Sequence, residues 1–243
     1  MWTAYPYAVY LISNNLCAGH FLPRTALERI FMELKGLKIN FLGDSITEGC
    51  CASTPELGYV SVMKKLYALS EARNYGIGGT RIARQAVPSV EAKFDQDFCM
   101  RYVQMDPDAD IVIVFGGTND HGHGDAPFGS HSDRTPDTFW GACHFLFSGL
   151  CAQFPRSRIV VLTPLHRAEE GNHRNGKYLE DYVHVIRDVA TAYQLPVLDL
   201  YETSKIKANI PENARRLTTD GLHPNDEGHQ ILAEEIGSFL QNL

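Results

Sequence analysis

The chain has 243 residues, of which 44% are apolar and 21% charged, and its formal net charge is −7. The acidic balance argues against nucleic acid and anionic membranes as partners, because both attract clustered Lys and Arg. No apolar run approaches the roughly 20 residues that span a bilayer, so no integral membrane segment is expected. Residues 1–24 lack the early basic residue and the unbroken apolar stretch of an export signal, which predicts a cytoplasmic protein.

The six cysteines indicate reduced thiols rather than a disulfide framework. They show no C-x-x-C pair, and a domain of this size does not need disulfides for its stability. Cys50 and Cys51 are adjacent, and packing as small apolar side chains is favoured over a redox role. We expect no cofactor, and the sequence leaves open whether the chain forms a homo-oligomer.

The predicted elements begin with a helix in the N-terminal segment, residues 1–36. Thr25 and Glu28 have the spacing of a capping box, apolar side chains follow on one face, and Gly36 can end the helix. Short apolar runs typical of buried parallel strands come next, at 38–42, 111–115, 159–162 and 197–200, with a weaker one at 72–75. Stretches long enough for helices lie at about 57–70, 88–103, 136–153, 177–194 and 226–240.

This alternation of strands and helices predicts an α/β fold. A parallel sheet of about five strands would lie between two layers of helices, in a single domain over residues 1–243. Ligands bind such sheets beyond the carboxyl ends of the strands. Residues that carry chemistry are therefore expected directly after the predicted strands.

A serine follows the first strand, in Gly43-Asp44-Ser45-Ile46-Thr47-Glu48-Gly49. The flanking glycines allow a sharp turn that exposes the hydroxyl of Ser45. A helix that begins there would add backbone N–H donors and a dipole that favours negative charge. The alternative is a helix cap formed by Ser45 or Thr47. The segment is not the G-x-S-x-G turn of the α/β-hydrolases.

Glycines and an amide follow the second and third strands. The run Gly76-Ile77-Gly78-Gly79 would either point N–H groups into a cleft or form a flexible turn. Asn119 stands in Gly116-Gly117-Thr118-Asn119-Asp120, where its amide can donate to an oxyanion. An Asx-turn is the alternative for this residue.

Asp220 and His223 stand three residues apart, just before the last predicted helix. A nucleophilic serine needs a base to accept its proton, and that base needs a carboxylate to fix its tautomer. The alternative is that Asp220 or Asn225 caps the last helix and that His223 is incidental. Taken together, the four segments supply every group that acyl transfer needs.

The four segments resemble the sequence blocks of the SGNH or GDSL hydrolases, in the right order, across residues 38–240. The resemblance implies a three-layer αβα fold with a flavodoxin-like, doubly wound parallel sheet. It also implies a metal-independent esterase or lipase. Ser45 would be the nucleophile, His223 the base and Asp220 the residue that orients it. The N–H groups of Ser45 and Gly79 and the amide of Asn119 would hold the oxyanion.

Gly79 is preferred to its neighbour Gly78 because it stands five residues after Asn74, as in the family pattern. The chain departs from that pattern in its first 36 residues, which precede the Ser block. These residues would either pack a helix on the sheet or form a lid or dimer element over the cleft.

A second departure is a histidine-rich loop directly after Asp120, which would line the substrate cleft. The residues predicted to line this cleft are Asp44, Asp120, His121, His123, His166 and Arg167. His121, His123 and Asp125, with His131 and Asp133 further on, have spacing that can ligate a metal. A polar, glycine-rich loop without a metal is the favoured interpretation.

The predicted reaction is therefore hydrolysis of a small-molecule carboxylic ester through a covalent acyl-enzyme. A carbohydrate O-acetyl ester is the first expectation for the substrate, because polar loops surround the expected cleft. A lysophospholipid or thioester and an acyltransferase reaction are the alternatives. A non-catalytic binding module is disfavoured because nucleophile and base are both present. A nucleotide or flavin site is disfavoured because neither G-x-G-x-x-G nor G-x-x-x-x-G-K-[ST] follows the first strand.

Overall fold

Five parallel strands form one sheet at the centre of the computed structural model, in the order β2-β1-β3-β4-β5. Every neighbouring pair of strands runs parallel. The strands are β1 Lys38–Gly43, β2 Glu71–Gly76, β3 Ile111–Phe115, β4 Arg158–Leu162 and β5 Val197–Leu198. The predicted sheet of about five strands is confirmed, and its strand order is that of flavodoxin-like folds.

The structure describes residues 32–171 and 176–243. The helix predicted from Thr25 therefore lies outside the described residues, and so does most of the N-terminal segment 1–36. Its assignment as a lid, a dimer element or a packed helix stays a prediction, as does a single domain over the whole chain. Within the described ranges, no helix is long and apolar enough to cross a membrane.

Helices cover both faces of the sheet. They are α1 Ser45–Glu48, α2 Tyr59–Leu66, α3 Phe98–Arg101, α4 Thr118–Gly122, α5 Phe139–Gln153, α6 Leu179–Ala192, α7 Leu200–Thr203, α8 Pro211–Leu217 and α9 Asp226–Gln241. Three short 3₁₀ helices span Pro55–Leu57, Ala92–Asp95 and Tyr102–Gln104. Helices α2 and α9 pack together on one face, and α5 and α6 on the other.

Strand β3 shows why two separate cores form. Val112 and Val114 belong to the core beneath α5 and α6, whereas Ile111, Ile113 and Phe115 belong to the core beneath α2 and α9. Successive side chains of a strand point to opposite faces, so an unbroken apolar run serves both layers. The predicted three-layer αβα architecture is confirmed.

One predicted helix, over 88–103, is wrong. The segment instead forms the 3₁₀ helix at Ala92–Asp95, α3 and the 3₁₀ helix at Tyr102–Gln104. Short acidic side chains bind the backbone here: Asp95 accepts from the N–H of Ser89, and Asp97 caps α3 by accepting from Met100 N. Such local bonds compete with a continuous helix. Strand β5 is also shorter than predicted, because Asp199 caps α7.

Candidate active site

Ser45 lies at the carboxyl end of β1, where it is the first residue of α1. The cap of this helix is Asp44, whose carboxylate accepts a 3.0 Å hydrogen bond from Ile46 N. The hydroxyl of Thr47 lies 3.0 Å from the hydroxyl of Tyr59 and hydrogen-bonds to it instead of capping the helix. Neither Ser45 nor Thr47 therefore serves as the cap. Strand β1 is an interior strand of the sheet, between β2 and β3, where the chain reverses its winding direction and leaves a crevice.

The turn before α9 brings a histidine and a carboxylate to this serine. His223 Nε2 lies 2.8 Å from Ser45 Oγ, and His223 Nδ1 lies 2.7 Å from Asp220 Oδ2. The other oxygen of Asp220 accepts from the backbone N–H groups of Leu222 and His223. Gly221 adopts a φ of 80° in this turn, a conformation that favours glycine.

The electrostatics of the turn keep the carboxylate charged. Burial works against the charge of Asp220, but the hydrogen bonds from His223 N, the His223 ring and Leu222 N outweigh it. The pKa of Asp220 is therefore held below its usual value. Because an ionised carboxylate only accepts hydrogen bonds, His223 carries its proton on Nδ1 when neutral, and Nε2 accepts the hydroxyl of Ser45.

The amide of Asn119 is fixed by a chain of three hydrogen bonds. Its Nδ2 donates to Thr80 O at 2.9 Å, and its Oδ1 lies 3.0 Å from His123 Nε2. Arg81 Nη2 lies 2.9 Å from His123 Nδ1. A guanidinium only donates, so His123 Nδ1 accepts from Arg81 and Nε2–H donates to Asn119. The Asn119 amide has two N–H groups. One donates to Thr80 O, and the other can donate to a ligand.

Gly78 and Gly79 differ in what their N–H groups do. Gly78 N donates to Glu48 Oε2 at 2.9 Å, and a Cβ built on Gly78 would lie 3.6 Å from Ser45 Cβ. The loop therefore runs directly past the serine. Gly79 N and Ser45 N have no acceptor within the described part of the chain. This difference supports the choice of Gly79 over Gly78 as a donor to a ligand.

Comparison with known proteins identifies related sequences and structures. The sequence model of the GDSL-like lipase/acylhydrolase family matches residues 41–231. The chain belongs to this family. A GDSL lipase of Mycobacterium tuberculosis is 26% identical over 234 residues, which cover 95% of this chain and 90% of the relative.

Solved structures of relatives share the fold of this GDSL acylhydrolase. A protein from Lactobacillus plantarum is 29% identical with a TM-score of 0.74, and the match covers 85% of this chain and 97% of that one. A two-domain esterase active on acetylated mannans is 26% identical with a TM-score of 0.52. That match covers 85% of this chain and 49% of the esterase. The predicted SGNH hydrolase fold is confirmed.

Two residues predicted to line the cleft of the GDSL site, Asp44 and Asp120, lie beneath it instead. Both are buried, and Asp120 accepts from the backbone N–H groups of Ile82 and Ala83 at 3.0 and 2.9 Å. Burial raises the pKa of Asp44 to about 7 and that of Asp120 to about 6. They hold the loops of the site in place, and the sequence pattern did not distinguish this role from contact with substrate.

The other four residues predicted to line the cleft form hydrogen bonds to further loops and side chains of the protein. His121 is buried, and its Nε2 lies 2.9 Å from Gly171 O. His166 Nδ1 lies 2.6 Å from Glu170 Oε1. Arg167 Nη1 donates to Thr118 O at 3.1 Å and so lies against the turn that carries Asn119. His123 is exposed, and its Nε2 contacts Asn119 Oδ1.

The histidine loop after β3 does not gather into a metal site. His121 and His123 bind separate partners, and Asp125 accepts from the N–H groups of Ala86 and Val87. The sequence interpretation also missed Arg81 and Glu48, which hold His123 and Gly78. Glu48 is the last residue of α1 and Arg81 lies in a loop, so only their position beside the family blocks could have indicated these roles.

Proposed function

We propose that this GDSL acylhydrolase is a serine esterase that works through a covalent acyl-enzyme. The observation that carries the proposal is the pair of contacts at His223, 2.8 Å to Ser45 Oγ and 2.7 Å to Asp220 Oδ2. A hydroxyl, an imidazole and a carboxylate in this order form the arrangement that activates serine for attack on acyl groups.

The reaction begins when Ser45 Oγ attacks the carbonyl carbon of the ester while its proton passes to His223 Nε2. The carbonyl oxygen becomes an oxyanion, to which Ser45 N, Gly79 N and the remaining amide N–H of Asn119 donate. His223 then gives the proton to the departing alcohol, which leaves an acyl group on Ser45. Water repeats both proton transfers and releases the acid.

A short acyl group, of which acetyl is the simplest, fits the surroundings of the oxyanion donors. Phe94 lies against Gly79, since a Cβ built on that glycine would fall 2.6 Å from a carbon of the Phe94 ring. The other contacts of the site are polar: Glu48 accepts from Gly78 N, His223 lies 2.8 Å from Ser45 Oγ, and the Asn119 amide lies 3.0 Å from His123. A long acyl chain needs an extended apolar channel instead. The relative that acts on acetylated mannans supports a carbohydrate as the alcohol.

A panel of p-nitrophenyl esters from acetate to palmitate, together with acetylated sugars, tests this proposal. We expect kcat/KM to fall by at least tenfold from acetate to octanoate, and acetylated sugars to release acetate. The matched variant is Phe94→Ala, which removes the ring beside Gly79 and should raise the relative rate on longer esters. Equal or higher rates on long esters in the wild type would instead favour a lipase, and no hydrolysis of any ester would refute the esterase.

His123 provides a second prediction, because it positions the amide of Asn119. Replacing His123 with alanine removes the hydrogen bond to Asn119 Oδ1 and lets the amide rotate. We expect kcat on p-nitrophenyl acetate to fall by roughly tenfold with little change in KM, since losing an entire oxyanion donor costs roughly 10²–10³. Steady-state kinetics of the purified variant measure both constants.

The control for this prediction is His184→Ala, an exposed histidine on α6 whose side chain is 57% accessible. It should leave kcat unchanged. His123→Asn is the second variant, because a shorter amide cannot reach both Asn119 and Arg81. A loss of thermal stability without a fall in kcat would mean that His123 supports the loop only and does not position Asn119.

A further inference from the structure

Two adjacent thiols lie beside the base of the site. The Sγ atoms of Cys50 and Cys51 are 3.6 Å apart. One ligand atom from each cysteine and one from His223 all fall within 4.8 Å of one another. All three side chains are partly exposed, so a solvent ion can reach them. Within residues 32–171 and 176–243, this is the one such group of three or more His, Cys, Asp or Glu residues.

The spacing of the two sulfurs fits a tetrahedral cation. Two thiolates bound to one Zn²⁺ at about 2.3 Å, with a tetrahedral angle between them, lie about 3.8 Å apart. The observed separation of Cys50 Sγ and Cys51 Sγ is 3.6 Å, so neither thiol has to move far. The backbone already holds this arrangement, because Cys51 adopts a φ of 68°, which is uncommon for a residue with a side chain.

The hydrogen bond to Asp220 orients His223 as the third ligand. Its Nδ1 lies 2.7 Å from Asp220 Oδ2, which leaves Nε2 as the nitrogen that can accept a metal. A carboxylate that holds the far nitrogen of a histidine is the usual support of zinc-bound imidazole. With two sulfurs and one nitrogen, the fourth position of a tetrahedral ion is left for water.

We propose that Cys50, Cys51 and His223 form an inhibitory site for a soft divalent cation such as Zn²⁺ or Cd²⁺. On binding, each thiol loses its proton to water, and two S–metal bonds and one N–metal bond replace bonds from the ion to water molecules, which are released. The Nε2 lone pair that accepts the proton of Ser45 then belongs to the metal. The loss of activity rests on the proposed esterase function, whereas the binding of the cation does not.

The charges around the thiols favour a cation. Burial and the contact with Cys51 raise the pKa of the Cys50 thiol, and the carboxylates of Asp220 and Glu48 raise it further. A metal-bound thiol is deprotonated, so the cation must displace the protons of both cysteines. The same negative field that disfavours a thiolate attracts a divalent ion.

Cd²⁺ titration of the full chain tests the site without any assay of hydrolysis. The protein is reduced, freed of chelators and titrated with CdCl2 while the ultraviolet thiolate–metal charge-transfer absorption is recorded. We expect this absorption in the wild type and in the control Cys151→Ser, a partly exposed cysteine at the end of α5. The double variant Cys50→Ser/Cys51→Ser should lose it. His223→Ala should keep the absorption but bind Cd²⁺ at least tenfold more weakly.

Inhibition is measured separately with ZnCl2 and p-nitrophenyl acetate. We expect Zn²⁺ to inhibit the wild type reversibly, with recovery on adding EDTA, and the Zn²⁺ needed for half inhibition to rise at least tenfold in the double variant. Unchanged Cd²⁺ absorption in the double variant, or unchanged affinity in His223→Ala, would overturn the site. If the double variant fails to fold, as judged by circular dichroism, the affinity of His223→Ala decides.

Discussion

Replacing Ser45 with alanine is expected to lower kcat on p-nitrophenyl acetate by roughly 10⁴–10⁶-fold, because removing the nucleophile of a serine triad costs about this much. The hydroxyl makes one described contact, to His223 Nε2, and no part of either core depends on it. The free energy of unfolding should therefore change by only about 1 kcal/mol, the net contribution of one hydrogen bond. Steady-state kinetics and thermal unfolding measure the two effects.

The matched control for this substitution is Ser148→Ala. Ser148 also uses its hydroxyl locally, donating to His144 O at 2.8 Å on α5, and its loss should leave kcat unchanged. A fluorophosphonate should add covalently to Ser45 in the wild type, as found by peptide mass spectrometry, and not to Ser45→Ala. Activity within tenfold of the wild type in the alanine variant would disprove the assignment of the nucleophile.

Replacing Asp220 with asparagine is expected to lower kcat by roughly 10⁴-fold, through the tautomer of His223. The asparagine Oδ1 can still accept from Leu222 N and His223 N, so the turn keeps its shape. Its Nδ2 would face His223 Nδ1 and donate to it. The ring proton would then move to Nε2, which could no longer accept the hydroxyl of Ser45.

The control for Asp220→Asn is Asp137→Asn, since Asp137 is an exposed carboxylate paired with Arg84. Its kcat should match that of the wild type. Nuclear magnetic resonance of ¹⁵N-labelled histidine would show which ring nitrogen of His223 carries the proton. An unchanged tautomer together with the expected loss of activity would mean that Asp220 acts through its charge alone.

The strands could be predicted from sequence because parallel strands that are covered on both faces consist of unbroken apolar runs. Ile111–Phe115 was predicted with its observed bounds, since all five side chains are buried. The segment 88–103 could not be predicted in this way. Its structure depends on the carboxylates of Asp95 and Asp97, which bind nearby backbone groups rather than following a helical period.

The residues of the candidate site could be predicted from sequence only when they were considered together. Ser45, Asn119 and His223 each have an ordinary local alternative. The set is informative because two of them follow strands and the third stands just before the last helix, so that all can meet at one edge of the sheet. Contacts across the site could not be predicted, because they join residues far apart in sequence. Arg81 reaches His123 across 42 positions, and Asp120 accepts from Ile82 N and Ala83 N across 38 and 37 positions.

The contact between Ser45 and His223 joins residues 178 positions apart, at opposite ends of the described chain. Because synthesis runs from the N-terminus, Ser45 emerges well before His223. A chain that has not yet added the turn before α9 therefore holds Ser45 without the base that the proposed mechanism needs. In that mechanism the nucleophile is activated only after the two distant segments have met in the folded protein.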